Sequence, residues 1–292
     1  MSSMATNLIS ENLLARPMVL AAVAAACVTA LATPSSAQLS GGSGGNTMVA
    51  QQPRPIGSEI SMWEYLQETR ELSFAEYANF AMAHPDFPRM EIIRLRAEAA
   101  LENEAPSSAA LIQYFSALPP LTNPARARYA LSLSSAQRPD AFDVAREAWR
   151  GGQMSGPAEA YLIGLFGSRF SADDHAARMD ALLWQGEREA ASRLMMSIDG
   201  EARQIAMARL SLLNGTMPRD AGLSIPNAAN RDAGFTFNLV NHLRSKRRTG
   251  EAISLLANRP LFNAPALDAE ELVGDMLAVA EAASAADTVR IA

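Results

Sequence analysis

Asp173-Asp174-His175 is the densest group of chemistry-bearing side chains in the sequence, and it has two readings. As a metal or acid–base cluster it would need its members to converge on one point. Consecutive residues at a helix start point in different directions, so acids placed in a first turn, where the helix dipole favours them, explain it better. His84, His175 and His242 stand far apart and lack the His-Glu-x-x-His spacing of a zinc helix. No glycine-rich phosphate loop or Ser/His/Asp arrangement is present, and Gly41-Gly42-Ser43-Gly44-Gly45 reads as linker. Catalytic, cofactor and metal sites are therefore all expected to be absent.

Contact residues are easier to nominate. Arg244-Ser245-Lys246-Arg247-Arg248 is the one basic run. It reads first as a solvated helix C-terminus, where cations oppose the dipole, and second as a contact for an anionic wall polymer or a partner. Trp149 and Trp184 lie at helical spacing among apolar neighbours, which predicts packing. Trp63 is the better surface candidate for stacking on a ligand. The candidate contact set is thus Trp63, Arg244, Lys246, Arg247 and Arg248.

These residues need helices to carry them. Ser61-Met62-Trp63-Glu64, Ser73-Phe74-Ala75-Glu76 and Asp268-Ala269-Glu270-Glu271 each set a capping side chain three residues before a Glu, the pattern of a capping box. Ser171-Ala172-Asp173-Asp174 is a looser version. Gly186 and Gly250 are expected to end helices in the left-handed conformation. Asp174–Gln185 with Glu187–Met196, and Phe235–Arg248 with Glu251–Asn258, read as antiparallel pairs. No alternation long enough for a strand is present. The expectation is an all-α chain, a superhelical α-solenoid of stacked antiparallel helix pairs.

Composition bounds the rest. The 292 residues carry a formal charge of −6, with 49% hydrophobic and 19% charged side chains. That balance argues against a nucleic-acid binder, which shows a basic excess. Arg16 precedes an apolar run from Met18 to Ala32, followed by small residues before Gln38. This order reads as a secretory signal peptide over 1–37, cut after Ala37. A flexible, Gly/Ser/Pro-rich linker over 38–57 and a helical domain over 58–292 are expected to follow. Cys27, the single cysteine, falls in the leader, so the mature chain would have no thiol and no disulfide.

A family likeness rests on the order of several short segments. They are Phe74-Ala75-Glu76-Tyr77-Ala78, Ala83-His84-Pro85-Asp86-Phe87-Pro88, Leu95-Arg96-Ala97-Glu98 and Pro119-Pro120-Leu121-Thr122. Ala148-Trp149-Arg150, Asp173-Asp174-His175 with Arg178, and Leu182-Leu183-Trp184 come after them. In this order the chain resembles the N-terminal superhelical, non-catalytic domain of the soluble lytic transglycosylases, with a fainter match from Phe235 onward. The resemblance implies a periplasmic helical platform acting on peptidoglycan. It also implies a lysozyme-like catalytic domain with Glu-Ser and Gly-Leu-Met-Gln segments, and neither occurs here. The helical domain is therefore expected to be truncated at its C-terminal end, and enzyme activity is left unassigned. Two functions are expected: a platform that positions peptidoglycan glycan strands, or a periplasmic scaffold for a protein partner. A stand-alone transglycosylase ranks below both. No membrane contact is expected once the leader is removed.

Overall fold

The computed structural model describes residues 56–285, which lie within one compact unit. The expected leader with its cut after Ala37, Cys27, most of the expected linker and residues 286–292 fall outside the described residues. Those described form thirteen α-helices and no strand. They are α1 (Ile56–Glu68), α2 (Phe74–Ala83), α3 (Met90–Ala100), α4 (Ser108–Ala117) and α5 (Asn123–Ser135). Next come α6 (Ala141–Arg150), α7 (Gly156–Phe166), α8 (Ala172–Trp184) and α9 (Arg188–Leu194). Last are α10 (Gly200–Leu213), α11 (Ala233–Ser245), α12 (Thr249–Asn258) and α13 (Ala269–Ala285). None is long and apolar enough to cross a membrane.

The caps explain most boundaries. Ser73 opens α2 with a complete capping box: its hydroxyl accepts from the Glu76 N–H while the Glu76 carboxylate accepts from the Ser73 N–H. Ser171 and Asp174 do the same for α8, although the acid is the shorter Asp. Asp268 accepts from the Glu271 N–H at the start of α13. Ser107, Thr122, Ser155 and Asp232 cap α4, α5, α7 and α11 through their side-chain oxygens.

Two expected boundaries are corrected. Ser61 is no cap, because α1 begins at Ile56 and runs through it. Gly250 does not end a helix; it sits in the first turn of α12. The left-handed residue at that corner is Arg247, at φ 57°, and α11 has already stopped at Ser245. The corner between α8 and α9 is as expected, with Gly186 at φ 72°.

The principal helix–helix contacts join elements one or two steps apart in the chain, such as α2 on α3, α5 on α6 and α7, α6 on α8, and α8 on α10. The one longer step joins α8 to α11. A core of apolar side chains runs from Leu66 to Ala206, with Trp149, Tyr77, Tyr114 and Phe115 fully enclosed. Smaller clusters continue it: Trp184 with Phe237 and Leu272, Leu212 with Phe235, and Leu243 with Val279.

Candidate functional site

The end of α6 is where the local chemistry concentrates. The last carbonyls of a helix have no partner within it and form the negative end of its dipole. Three side chains from other helices close this end. Asn123 Nδ2 donates to the carbonyls of Ala148 (3.0 Å) and Gln153 (2.8 Å). Gln185 Nε2 donates to that of Gly151 at 2.9 Å. Arg178 Nη1 donates to those of Trp149 (3.2 Å) and Gly152 (2.6 Å). Arg178 is 1% exposed, and its guanidinium lies 4.1 Å from the centre of the Trp149 ring. Phe170 stacks on Trp149 at 4.9 Å and 12°. The indole is thus filled by Phe170 and Arg178, and it packs as the sequence predicts.

The capping box of α8 orients the two side chains Asp174 and His175. Asp174, 1% exposed, accepts from the N–H and hydroxyl of Ser171, each at 2.9 Å. Its other oxygen accepts from Arg146 Nε (2.8 Å) and Arg150 Nη1 (2.9 Å). Burial alone would raise this carboxyl, but the bonds from Ser171, Arg146 and Arg150 outweigh it and hold Asp174 well below the usual carboxylate range. His175, the next residue, receives the Trp149 Nε1–H on Nδ1 at 3.2 Å. An indole N–H only donates, so Nδ1 is the acceptor and the proton of the neutral ring sits on Nε2. Burial pushes His175 down; the Asp174 charge opposes this and the Arg178 charge adds to it, for a net lowering.

Between α7 and this wall opens a cleft of about 630 Å³. That volume falls in the ~300–1,000 Å³ range of small-molecule sites. Ala160, Ile163, Phe170 and Leu194 supply its apolar surface, with the enclosed Trp149 behind them, and Glu159, His175, Arg193 and Ser197 its polar groups. Ser155 caps α7 and sets Glu159 in its first turn. One Glu159 oxygen lies 3.0 Å from Arg193 Nη2 and 3.3 Å from Arg178 Nη2. A carboxylate held between two guanidinium groups is not the lone desolvated carboxyl that protonates a glycosidic oxygen. Among the described residues no group of His, Cys, Asp and Glu could hold a metal.

Other cavities offer less. One of about 370 Å³ contains Glu98, whose oxygens are occupied by the N–H groups of Leu121 (2.7 Å) and Thr122 (2.6 Å). Another, between α2 and α4, is mainly apolar; burial pushes the Tyr114 phenol on its wall up to about 12.

The residues nominated from sequence lie elsewhere. Trp63, on α1, is half-buried: its Nε1–H donates to the Pro88 carbonyl at 2.8 Å and its ring leans on Phe87. Arg244 pairs with Asp275 of α13, and Arg248 pairs with Glu251 at the start of α12. Lys246 and Arg247 are exposed at the α11–α12 corner. The main contact of α1 is with α3, whereas α11 packs on α8, α10, α12 and α13, and none of the five residues lines the cleft. The sequence singles out His175 only as part of a helix first turn, and it gives no signal for Glu159, Phe170 or Arg193.

The described chain is thus all-helical, with a semi-enclosed cleft lined by apolar and polar side chains. No family model, curated protein or solved structure matches it.

Proposed function

We propose that this protein is a helical solenoid that holds peptidoglycan glycan strands in the α6–α9 cleft. The observation that carries the reading is the cleft itself. It pairs apolar walls with a carboxylate, an imidazole N–H, a guanidinium and a hydroxyl, the mixture that binds a sugar ring and its hydroxyl and amide substituents. The stacking of each helix on neighbours one or two steps away supports the solenoid of antiparallel pairs. The resemblance to the superhelical domain of lytic transglycosylases names the polymer. Export to the periplasm, by cleavage after Ala37, belongs to the same proposal. Lys246 and Arg247, exposed and outside the ion pairs of their neighbours, are a second contact for anionic wall polymer.

A second reading, a scaffold for a periplasmic protein partner, is favoured by the outer face of α7. Tyr161 and Leu165 are 64% and 53% exposed there. Retention on purified sacculi separates the two. The glycan reading expects the protein to be retained, with Ile163→Asp in the cleft wall releasing it and Tyr161→Asp having no effect. Absence of retention by the unaltered protein refutes the glycan reading and leaves the partner scaffold.

A further inference from the structure

Helix α13 is apolar on two sides. Leu272, Met276 and Val279 turn inward, onto α11 and its neighbours. Val273, Leu277 and Ala280 recur at i, i+4 and i+7, about a quarter turn away from that face. Val273 and Leu277 are 52% and 60% exposed. A helix with a single packed face is polar on the others, so this second stripe is the pattern of a second packed face.

The two ends of α13 differ in the sign of their charge. Asp268, Glu270 and Glu271 stand at its start, and among the described residues none has a cationic partner. Burial pushes the Glu271 carboxyl up, and the Asp268 and Asp275 charges add to it. Helix α11 runs alongside α13: Phe237 packs with Leu272, Arg244 pairs with Asp275, and Leu243 packs with Val279. The α11–α12 corner therefore lies at the far end of α13. Its Lys246 and Arg247 are exposed and have no carboxylate partner among the described residues. Glu281 is the one acid of α13 at that end.

We propose that α13 is a self-association surface on which a second copy of this chain packs about a two-fold axis, the two α13 helices antiparallel. Val273 then meets the partner's Leu277 and the reverse, an isologous contact. Antiparallel pairing sets the acidic start of each α13 level with the basic corner of the other copy, whereas parallel pairing would set acid on acid. Gly274, on the flank of the stripe, has no Cβ to hold the helices apart. A helix of 17 residues presents a strip of only about 25 Å by about 10 Å. That falls short of the ~800 Å² per partner of a standard interface, so the corner and the exposed Leu267 must add to it. The dimer is accordingly weak, with a Kd on the order of 1–100 μM. This inference is independent of the glycan reading. In the dimer the corner is taken, so the monomer is the form that offers Lys246 and Arg247 to wall polymer.

The test is sedimentation equilibrium of the full chain, less its leader, over roughly 1–200 μM. The average mass is expected to rise with concentration toward twice that of the monomer. Leu277→Glu should leave a monomer throughout, with an unchanged melting temperature, and Tyr161→Asp on α7 should leave association as it was. Lys246→Glu and Glu270→Lys should each weaken association at least about fivefold, because each sets like charges opposite one another. The two substitutions together should restore it. A protein that stays monomeric, or a dimer that survives Leu277→Glu, overturns the inference. So does a mass that climbs past twice the monomer, since a head-to-tail contact does not close on itself. A double variant no better than the single ones overturns the antiparallel two-fold. Retention on sacculi is measured separately, so none of these outcomes bears on the glycan reading.

Discussion

Replacing Asp174 with Asn tests whether the buried carboxylate holds α6 to α8. The side chain accepts four hydrogen bonds, two from Ser171 and one each from Arg146 and Arg150. An amide keeps one acceptor and turns a donor toward the other pair, so at least the Ser171 cap or both cations lose their partner. Loss of an N-cap interaction costs about 1 kcal/mol. Arg146 and Arg150 are 48% and 42% exposed, so they can rehydrate once released. Each of those pairs is therefore worth only ~0.2–1 kcal/mol, not the value of a buried ion pair. With the cap and both pairs lost the sum is about 1.4–3 kcal/mol, or a melting temperature roughly 3–12 °C lower for a domain of this size. The pH dependence gives an independent handle. Asp174 titrates lower in the folded protein than in the unfolded chain. Its stabilisation is therefore complete above the unfolded value of about 3.9 and is lost as pH falls toward the folded one. Thermal unfolding followed by circular dichroism should show the two proteins far apart at pH 7 and converging between about pH 5 and pH 2. A gap below about 0.5 kcal/mol at pH 7 would refute the role assigned to Asp174, being no more than an ordinary surface substitution gives. So would a gap that does not narrow in acid.

Two further perturbations bear on the same framework. Gly234→Ala, normally favourable in a helix, should destabilise by about 1–3 kcal/mol because its Cβ would fall on the guanidinium of buried Arg209. A double-mutant cycle with Arg209→Met in urea unfolding should show coupling of at least ~1 kcal/mol, and stabilisation by Gly234→Ala would contradict the packing. For His175, the folded ring titrates below the ordinary value, so its contribution is present above about pH 6.5 and fades as pH falls through the folded value. The melting-temperature difference between the native protein and His175→Asn should shrink from pH 7.5 to pH 5, and a flat difference would count against the Trp149–His175 bond.

Local signals in the sequence read well because their physics spans only a few residues. The capping boxes at Ser73 and Ser171 need a partner three positions away, and both form. Ser61 carries the same spacing and fails, since α1 continues through it and leaves no free N–H groups for it to cap. Gly250 is misleading for a related reason. Arg247 accepts the left-handed conformation instead, and Arg248 bonds Glu251 as α12 begins. The cleft is invisible in the sequence because its chemistry is long-range. Glu159 meets Arg193 across 34 residues and Trp149 meets His175 across 26, and nothing in either local pattern announces the other. Asp174 is legible only in part: its place in a first turn comes from spacing, but Arg146 and Arg150 reach it from another helix.

The wall of the cleft is packed by a device that occurs twice. Trp149 lies between Phe170 and Arg178; Trp184 stacks on Phe237 at 4.4 Å, with Arg209 5.9 Å from its ring centre. Each tryptophan closes a helix, α6 or α8, and each arginine arrives from the helix two steps further on, α8 or α10. Arg178 binds the carbonyls at the end of α6 directly. Arg209 holds Asn238 at 2.8 Å, and Asn238 donates to the Leu183 carbonyl at the end of α8. A buried cation near the negative end of a helix is favourable, and here it also fixes how the next helix sits. The two copies differ in what surrounds them. Arg209 faces Asp180 at 2.5 Å and Asp232 at 3.9 Å, beside a cavity of only about 150 Å³. Arg178 instead shares Glu159 with a half-exposed Arg193, beside a cleft about four times larger. The Trp149 copy thus lies behind an open cleft with the half-exposed Arg193 at its edge, whereas the Trp184 copy is closed in by two carboxylates.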